Sequence, residues 1–187
     1  MAKQTGFTLP ELMITVAVAA ILLGLAVPSF RETAIGNRLT ASANEFMAAI
    51  NFARSEAIKR GEKVILCKTS TGTSCNEGGN KWEIGWMAFV DRVKDGKWTV
   101  GDEILRVWPA LPARYTLRPN NNFDNYLRYD PYGAANNIGT FAICYKNQRE
   151  GAKAIVITRL RPRLGLDANG NRIPEGDSGD IASCFTS

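Results

Sequence analysis

Apolar and polar residues follow three successive rhythms along the chain. Leu12–Val27 is sixteen residues without a charge. Counted from Phe7, the span to Val27 is 21 residues. As a helix it measures roughly 31 Å, enough to cross the hydrocarbon core of a bilayer. Beyond Pro28, the residues Ile35, Leu39, Phe46, Ile50, Ala53 and Ala57 recur at helical spacing. Arg31, Glu32, Arg38, Glu45, Arg54 and Lys59 mostly take other faces. Lys59 and Arg60 suit a last turn and Gly61 a C-terminal cap. One helix of about 50 residues is predicted, apolar all round at first and amphipathic afterwards, and bent or loosened at Pro28 and Gly36.

From Val64 the period shortens to that of strands. Val64–Cys67, Trp82–Val90, Glu103–Leu111, Tyr115–Leu117, Tyr126–Tyr129, Gly139–Tyr145 and Ala152–Leu160 read as strands. The second and third form a hairpin across the charged turn Asp91–Trp98. Residues 120–125 and 165–180 are rich in Asn, Gly and Asp and read as loops. A long helix followed by about seven strands is an α+β arrangement.

Composition narrows the chemistry. The 187 residues contain no histidine, which excludes Ser-His-Asp and Cys-His catalysis and every imidazole-bound zinc site. The formal charge is +5, and its distribution is uneven. Residues 106–172 carry 11 basic and 4 acidic groups, a net +7, whereas 173–187 carry only the acids Glu175, Asp177 and Asp180. This pattern points to a positive face on the distal half, or to a solvated surface. The four cysteines, Cys67, Cys75, Cys144 and Cys184, show no CxxC spacing. Disulfides in an oxidising compartment are the better reading, over free thiols. Cys67 and Cys75 flank a Thr-, Ser- and Gly-rich run that can turn back on itself, so these two pair, and Cys144 pairs with Cys184.

The start of the chain admits two readings. A secretory signal would be cut behind small residues after the apolar run, yet Ala26-Val27-Pro28-Ser29 matches poorly. Glu11 also places a carboxylate among the first apolar residues, where it is costly and a functional candidate. Gly6-Phe7-Thr8-Leu9-Pro10-Glu11 followed by the apolar run resembles the class III signal of type IV pilins and type II secretion pseudopilins. The resemblance implies that prepilin peptidase cuts between Gly6 and Phe7 and methylates the new amine of Phe7. It implies that Glu11 pairs with the N-terminal amine of a neighbouring subunit. Pro10 departs from the usual aliphatic residue but is tolerated in a first helical turn.

The middle of the chain resembles the minor pilins of the FimT/FimU group and the minor pseudopilin H (GspH) family, over about residues 46–164. Ala53-Arg54-Ser55-Glu56-Ala57, Val64–Cys67, Gly85-Trp86 with Phe89-Val90-Asp91, Gly101–Leu105, Gly139-Thr140-Phe141 and Ile155-Val156-Ile157 carry it in order. The fold implied is the type IV pilin-like one. Residues 1–6 are then a leader peptide, 7–30 the transmembrane and assembly half of the helix, and 31–187 the globular head with its antiparallel β-sheet. FimT-like members carry Gly-Arg-x-Arg after the last long strand, implicated in DNA capture. Thr158-Arg159-Leu160-Arg161-Pro162-Arg163 corresponds, with Thr158 in place of the glycine. Arg159, Arg161 and Arg163, with Arg172 secondary, are the candidate DNA-binding residues, suited to phosphate by their forked donors. A subunit contact and a solvated loop remain alternatives.

Asp167–Asn171 begins like a calcium loop but has Arg172 where glycine is required, and Asp91-x-Val93-x-Asp95 is interrupted at Val93. Both read as turns. Trp82, Trp86, Trp98 and Trp108 read as core or sheet-face residues. No acid–base dyad or phosphate loop is present, so the expectation is a non-enzymatic subunit without a cofactor. The resemblance implies a minor pilin acting in pilus priming or at the tip, or a DNA-binding minor pilin, or a type II secretion minor pseudopilin. The partners implied are other minor and major pilins, prepilin peptidase, the inner-membrane assembly platform, membrane lipid before assembly, and DNA on the second reading. The precursor is expected in the inner membrane of a Gram-negative bacterium with its head in the periplasm, and the mature subunit in a pilus at the cell surface.

Overall fold

The computed structural model describes residues 6, 8–75, 79–93, 96–123 and 125–184. It divides into two compact units, Met1–Asn37 and Arg38–Ser187. One helix, α1 (Leu9–Arg60, 52 residues), runs unbroken through Pro28 and Gly36. It ends where Gly61 takes φ of 67°, a left-handed conformation that only glycine adopts cheaply. Arg60 and Lys59 both bond Glu56, at 2.7 and 3.7 Å. They place positive charge at the negative end of the helix dipole. The Arg60 hydrogen bond holds the Glu56 carboxyl below the ordinary glutamate range.

In the second unit α1 buries Leu39, Ala43, Phe46, Ala49, Ile50, Ala53 and Ala57. This stripe at i, i+3 and i+4 packs on the strands. Eight strands follow among the described residues: β1 (Val64–Lys68), β2 (Trp86–Val90), β3 (Glu103–Trp108), β4 (Tyr115–Pro119), β5 (Tyr126–Tyr129), β6 (Gly139–Tyr145), β7 (Gln148–Ile157) and β8 (Pro162–Leu164). They form two four-stranded sheets, ordered β3-β2-β1-β5 and β4-β6-β7-β8. Every pairing between these strands is antiparallel.

Phe46 of α1 joins helix and sheets at one point. Its ring lies 5.1 Å from Trp86 of the first sheet, 4.9 Å from Phe141 of the second and 5.7 Å from Trp82, all edge-on. Edge-to-face packing suits the ring quadrupoles. The buried indole of Trp82 donates from Nε1 to the Phe123 carbonyl at 3.1 Å. Trp82, Trp86 and Trp108 are buried, as core tryptophans.

Several boundaries differ from the sequence reading. Trp82–Ile84 is a 3-10 turn rather than the start of a strand. Gly85 breaks the run with φ of 114°, and a Cβ there would sit 2.9 Å from the Thr69 carbonyl oxygen. The third strand stops at Trp108, before Pro109, which has no N–H for a ladder. The seventh begins four residues early, at Gln148. The two-residue turn Lys146-Asn147, both with positive φ, supplies the backbone twist that a tight hairpin needs. Residues 162–164, expected in a loop, form an edge strand. The antiparallel β head expected from the resemblance is present, built as two sheets.

Candidate functional site

The first site is the helix start. Gly6 is exposed, and Phe7, the residue expected to be methylated, lies outside the described residues. The Thr8 carbonyl accepts the first helical bond, from the Leu12 N–H at 3.1 Å. Glu11 then sits three positions after this cap. One of its carboxylate oxygens, Oε2, accepts from both the backbone N–H and the hydroxyl of Thr8, each at 3.4 Å. This is the carboxylate half of a capping box, whose spacing S/T-x-x-E is visible in Thr8–Glu11. The sequence reading gave Glu11 only an intermolecular role. In the isolated chain its carboxylate also closes the N-terminus of α1. The helix around it presents Leu9, Leu12, Met13, Ile14 and Val16 to the surroundings. It is long and apolar enough to cross a membrane.

The disulfides are Cys67–Cys75 and Cys144–Cys184, closing separations of 8 and 40 residues. Cys144 lies on β6, so the second bond pins the C-terminal segment to the outer face of the second sheet. Ile181, Cys184 and the half-buried Ile173 cover Ala142, Cys144, Ala152 and Ala154 there.

The arginines form the third site. Val156 of β7 pairs with Arg163 of β8. Thr158 staples the turn between these strands: its hydroxyl donates to the Arg161 carbonyl at 2.6 Å and accepts from the Arg161 N–H at 3.2 Å. The Arg159 carbonyl accepts from the Ala135 N–H at 3.0 Å. The backbone is thus held by hydrogen bonds while Arg159, Arg161 and Arg163 are exposed. None of the three takes part in an ion pair among the described residues. Thr158, where FimT-like members have glycine, is a residue whose role the sequence did not show.

Arg172 does not join them. Its carbonyl accepts from the Gly151 N–H, five steps along β7 from Val156, or roughly 16 Å. Its own N–H donates to Asp167 Oδ2 at 2.8 Å, and the Gly170 N–H donates to Asp167 Oδ1 at 2.8 Å. The calcium-like stretch is therefore a turn whose leading carboxylate is occupied by backbone donors.

The comparisons with known proteins agree with this geometry. The family model for type II transport protein GspH matches residues 42–160. The model for the prokaryotic N-terminal methylation motif matches residues 1–27. Two fimbrial proteins of Pseudomonas aeruginosa are each 33% identical over 78 residues, 42% of this chain and 50% of theirs. The chain spans about half the length of the curated relatives it matches. Two crystal structures of the Pseudomonas aeruginosa type IV minor pilin FimU share the fold. One has a TM-score of 0.56 at 19% identity, covering 80% of this chain and 96% of that one. The other has 0.53 at 17%, covering 78% and 99%. With the GspH model spanning more than half of the chain behind a methylation motif, the protein belongs to the GspH family, as a minor pilin or pseudopilin that is structural rather than enzymatic.

Proposed function

We propose that the protein is a minor pilin of a type IV pilus, a structural subunit that acts in priming or at the tip. It is held in the inner membrane as a precursor with its head in the periplasm. Prepilin peptidase cuts after Gly6 and methylates Phe7, and the assembly platform then passes the subunit into the pilus among other minor and major pilins. The observation that carries this reading is Glu11. It is the sole charge between Phe7 and Val27, on a helix whose described side chains there are exposed to any neighbouring helix. A carboxylate in an apolar bundle requires a cation, and the free amine of Phe7 in a neighbouring subunit supplies one. The test is mass spectrometry of the mature N-terminus, with recovery of the subunit from sheared filaments. A start at methylated Phe7 in the pilus fraction supports the reading. A start at Met1 or after Val27 overturns it.

Two specific observations favour other readings. The matching family model is that of a type II transport protein, which favours a secretion pseudopilin. Secretion genes beside this one would decide for it. The three exposed arginines on the stapled turn and the β8 strand after it favour DNA capture, which a gel shift at low salt tests.

A further inference from the structure

Asp91 is a buried carboxylate that the assembly reading leaves unused. It is 2% exposed, and among the described residues neither of its carboxylate oxygens has a hydrogen-bond partner. Its backbone is well held: the N–H donates to the Lys63 carbonyl at 2.9 Å, one step beyond the Val64–Val90 pair. Asp91 lines a cavity of about 340 Å3 together with Gly61, Glu62, Lys63, Arg92 and Pro131. The end of α1, the start of β1, the end of β2 and the turn after β5 meet there. An ionised carboxylate without a donor is costly to bury, so this one calls for a cation.

The cations already present are not on it. Lys59, Glu56, Arg60, Glu103, Arg92 and Glu62 form one alternating chain of ion pairs, with Arg92 at 2.9 Å from Glu103 and 3.7 Å from Glu62. Lys63 lines the same cavity but makes no ion pair among the described residues. Asp102 is occupied: Oδ1 accepts from the Arg92 N–H, and Oδ2 accepts from the Thr99 N–H and hydroxyl. Glu62 is the second carboxylate open to a ligand, half exposed and held by the long contact to Arg92. The cavity also adjoins the last residues of a 52-residue helix, the end that favours positive charge.

The donors here are oxygens alone. The chain has no histidine, and its four cysteines are in disulfides, so a soft metal finds no ligand. Mg2+ demands a compact octahedron, whereas Ca2+ accepts about six to eight oxygens in irregular geometry, water among them. At about 30 Å3 each, several waters fit the cavity.

We propose that Asp91 and Glu62 bind a Ca2+ ion in this cavity. The spacing Asp91-x-Val93-x-Asp95 fails as a calcium loop at Val93, and the second carboxylate comes instead from the segment joining α1 to β1. The ion displaces the long Arg92–Glu62 contact, and Arg92 keeps Glu103. Two carboxylates give the weak affinity of extracellular modules, a Kd of about 10⁻⁴–10⁻³ M. The bound ion ties the end of α1 to the end of β2.

The test uses the full chain, purified in detergent with its disulfides intact and freed of divalent ions. It is then titrated with Ca2+, with Mg2+, and with NaCl at matched ionic strength. Equilibrium dialysis should find one Ca2+ per chain. At ten times the Kd, Ca2+ should raise the melting temperature by about 3–6 °C, and Mg2+ and NaCl should do far less. Asp91→Asn should abolish binding and the shift, yet melt no lower than wild type without Ca2+, because it removes an unpartnered buried charge. Glu62→Gln, at a half-exposed position, should weaken binding about tenfold. Lys63→Met should tighten it by removing a competing charge. No Ca2+-specific binding by the wild type, or binding that survives Asp91→Asn, would overturn the site. Asp91→Asn melting well below wild type without Ca2+ would also overturn it, and would assign the carboxylate to a partner within the chain such as Lys63.

Discussion

Thr140 and Asp177 bond each other reciprocally: the Thr140 hydroxyl donates to Asp177 Oδ1 at 2.7 Å and accepts from the Asp177 N–H at 3.0 Å. Thr140 is buried on β6, so this pair fastens the acidic C-terminal segment onto the outer face of the second sheet. Neighbouring Gly176 is required for the approach, because a Cβ there would meet Thr140 Oγ1 at 2.9 Å. Together with Cys144–Cys184 the pair makes the tail part of the sheet.

Replacing Cys144 and Cys184 by serine should therefore loosen the segment after Leu164 first. The loss is about 2–4 kcal/mol on the chain-entropy account. Limited proteolysis is the measurement: cleavage between 165 and 184 should precede any cut in β1–β7. Uniform cleavage across the head would count against the tail as a separable cover.

Phe46→Ala should cost about 3–5 kcal/mol, because it empties the point where the helix meets both sheets. Urea denaturation of the mature chain in detergent measures this. A loss under 1 kcal/mol would mean that Trp82, Trp86 and Phe141 close the gap.

Tyr129 gives a pH prediction. Its ring is fully buried and its hydroxyl has no hydrogen-bond partner. Burial pushes its ionisation well above the ordinary tyrosine value. A folded pKa raised above the unfolded one leaves stability intact below about pH 10 and removes it as pH rises further. Tyr129→Phe should flatten that alkaline decline. It should be neutral or slightly stabilising at pH 7, since it deletes an unpaired polar group. A loss above 1 kcal/mol at pH 7 would show that the hydroxyl has a partner, such as water.

Glu11 carries two roles that one substitution separates. Glu11→Gln keeps the capping box, because glutamine also serves at that position, but removes the charge. Glu11→Ala removes both. If the amine of a neighbour is the partner, both variants should be cut after Gly6 and both should be missing from filaments. Incorporation of the Gln variant at the wild-type level would assign Glu11 to the cap alone.

On the DNA-capture reading, binding should weaken with salt at a log–log slope near −3, from about three phosphate contacts. Arg159, Arg161 and Arg163 changed together to Ala should abolish it with little effect on the melting temperature. Arg172→Ala should leave it unchanged, because Arg172 lies near the other end of β7. No binding at low salt would remove this reading.

The local signals were legible because their causes are local. The uncharged run Leu12–Val27, the stripe from Leu39 to Ala57 and the stop at Gly61 follow from periodicity and from glycine's freedom at positive φ. The leader-like motif and the strand Gly139–Tyr145 are equally plain, and the cysteine spacing led to the bonds that the fold contains. What depended on distant parts of the chain was not legible. Nothing in residues 82–85 alone says that Gly85 must pass against the carbonyls of Thr69 and Trp108, which turns an apparent strand into a 3-10 turn. The division into two sheets arises where Phe46 meets Trp86 and Phe141. Arg172 and Arg163 are nine positions apart in the chain, but the turns through Gly165 and Asp167 carry Arg172 toward the start of β7. Sequence spacing reports which side chains lie near one another along the backbone; the pairing of strands decides which of them share a face.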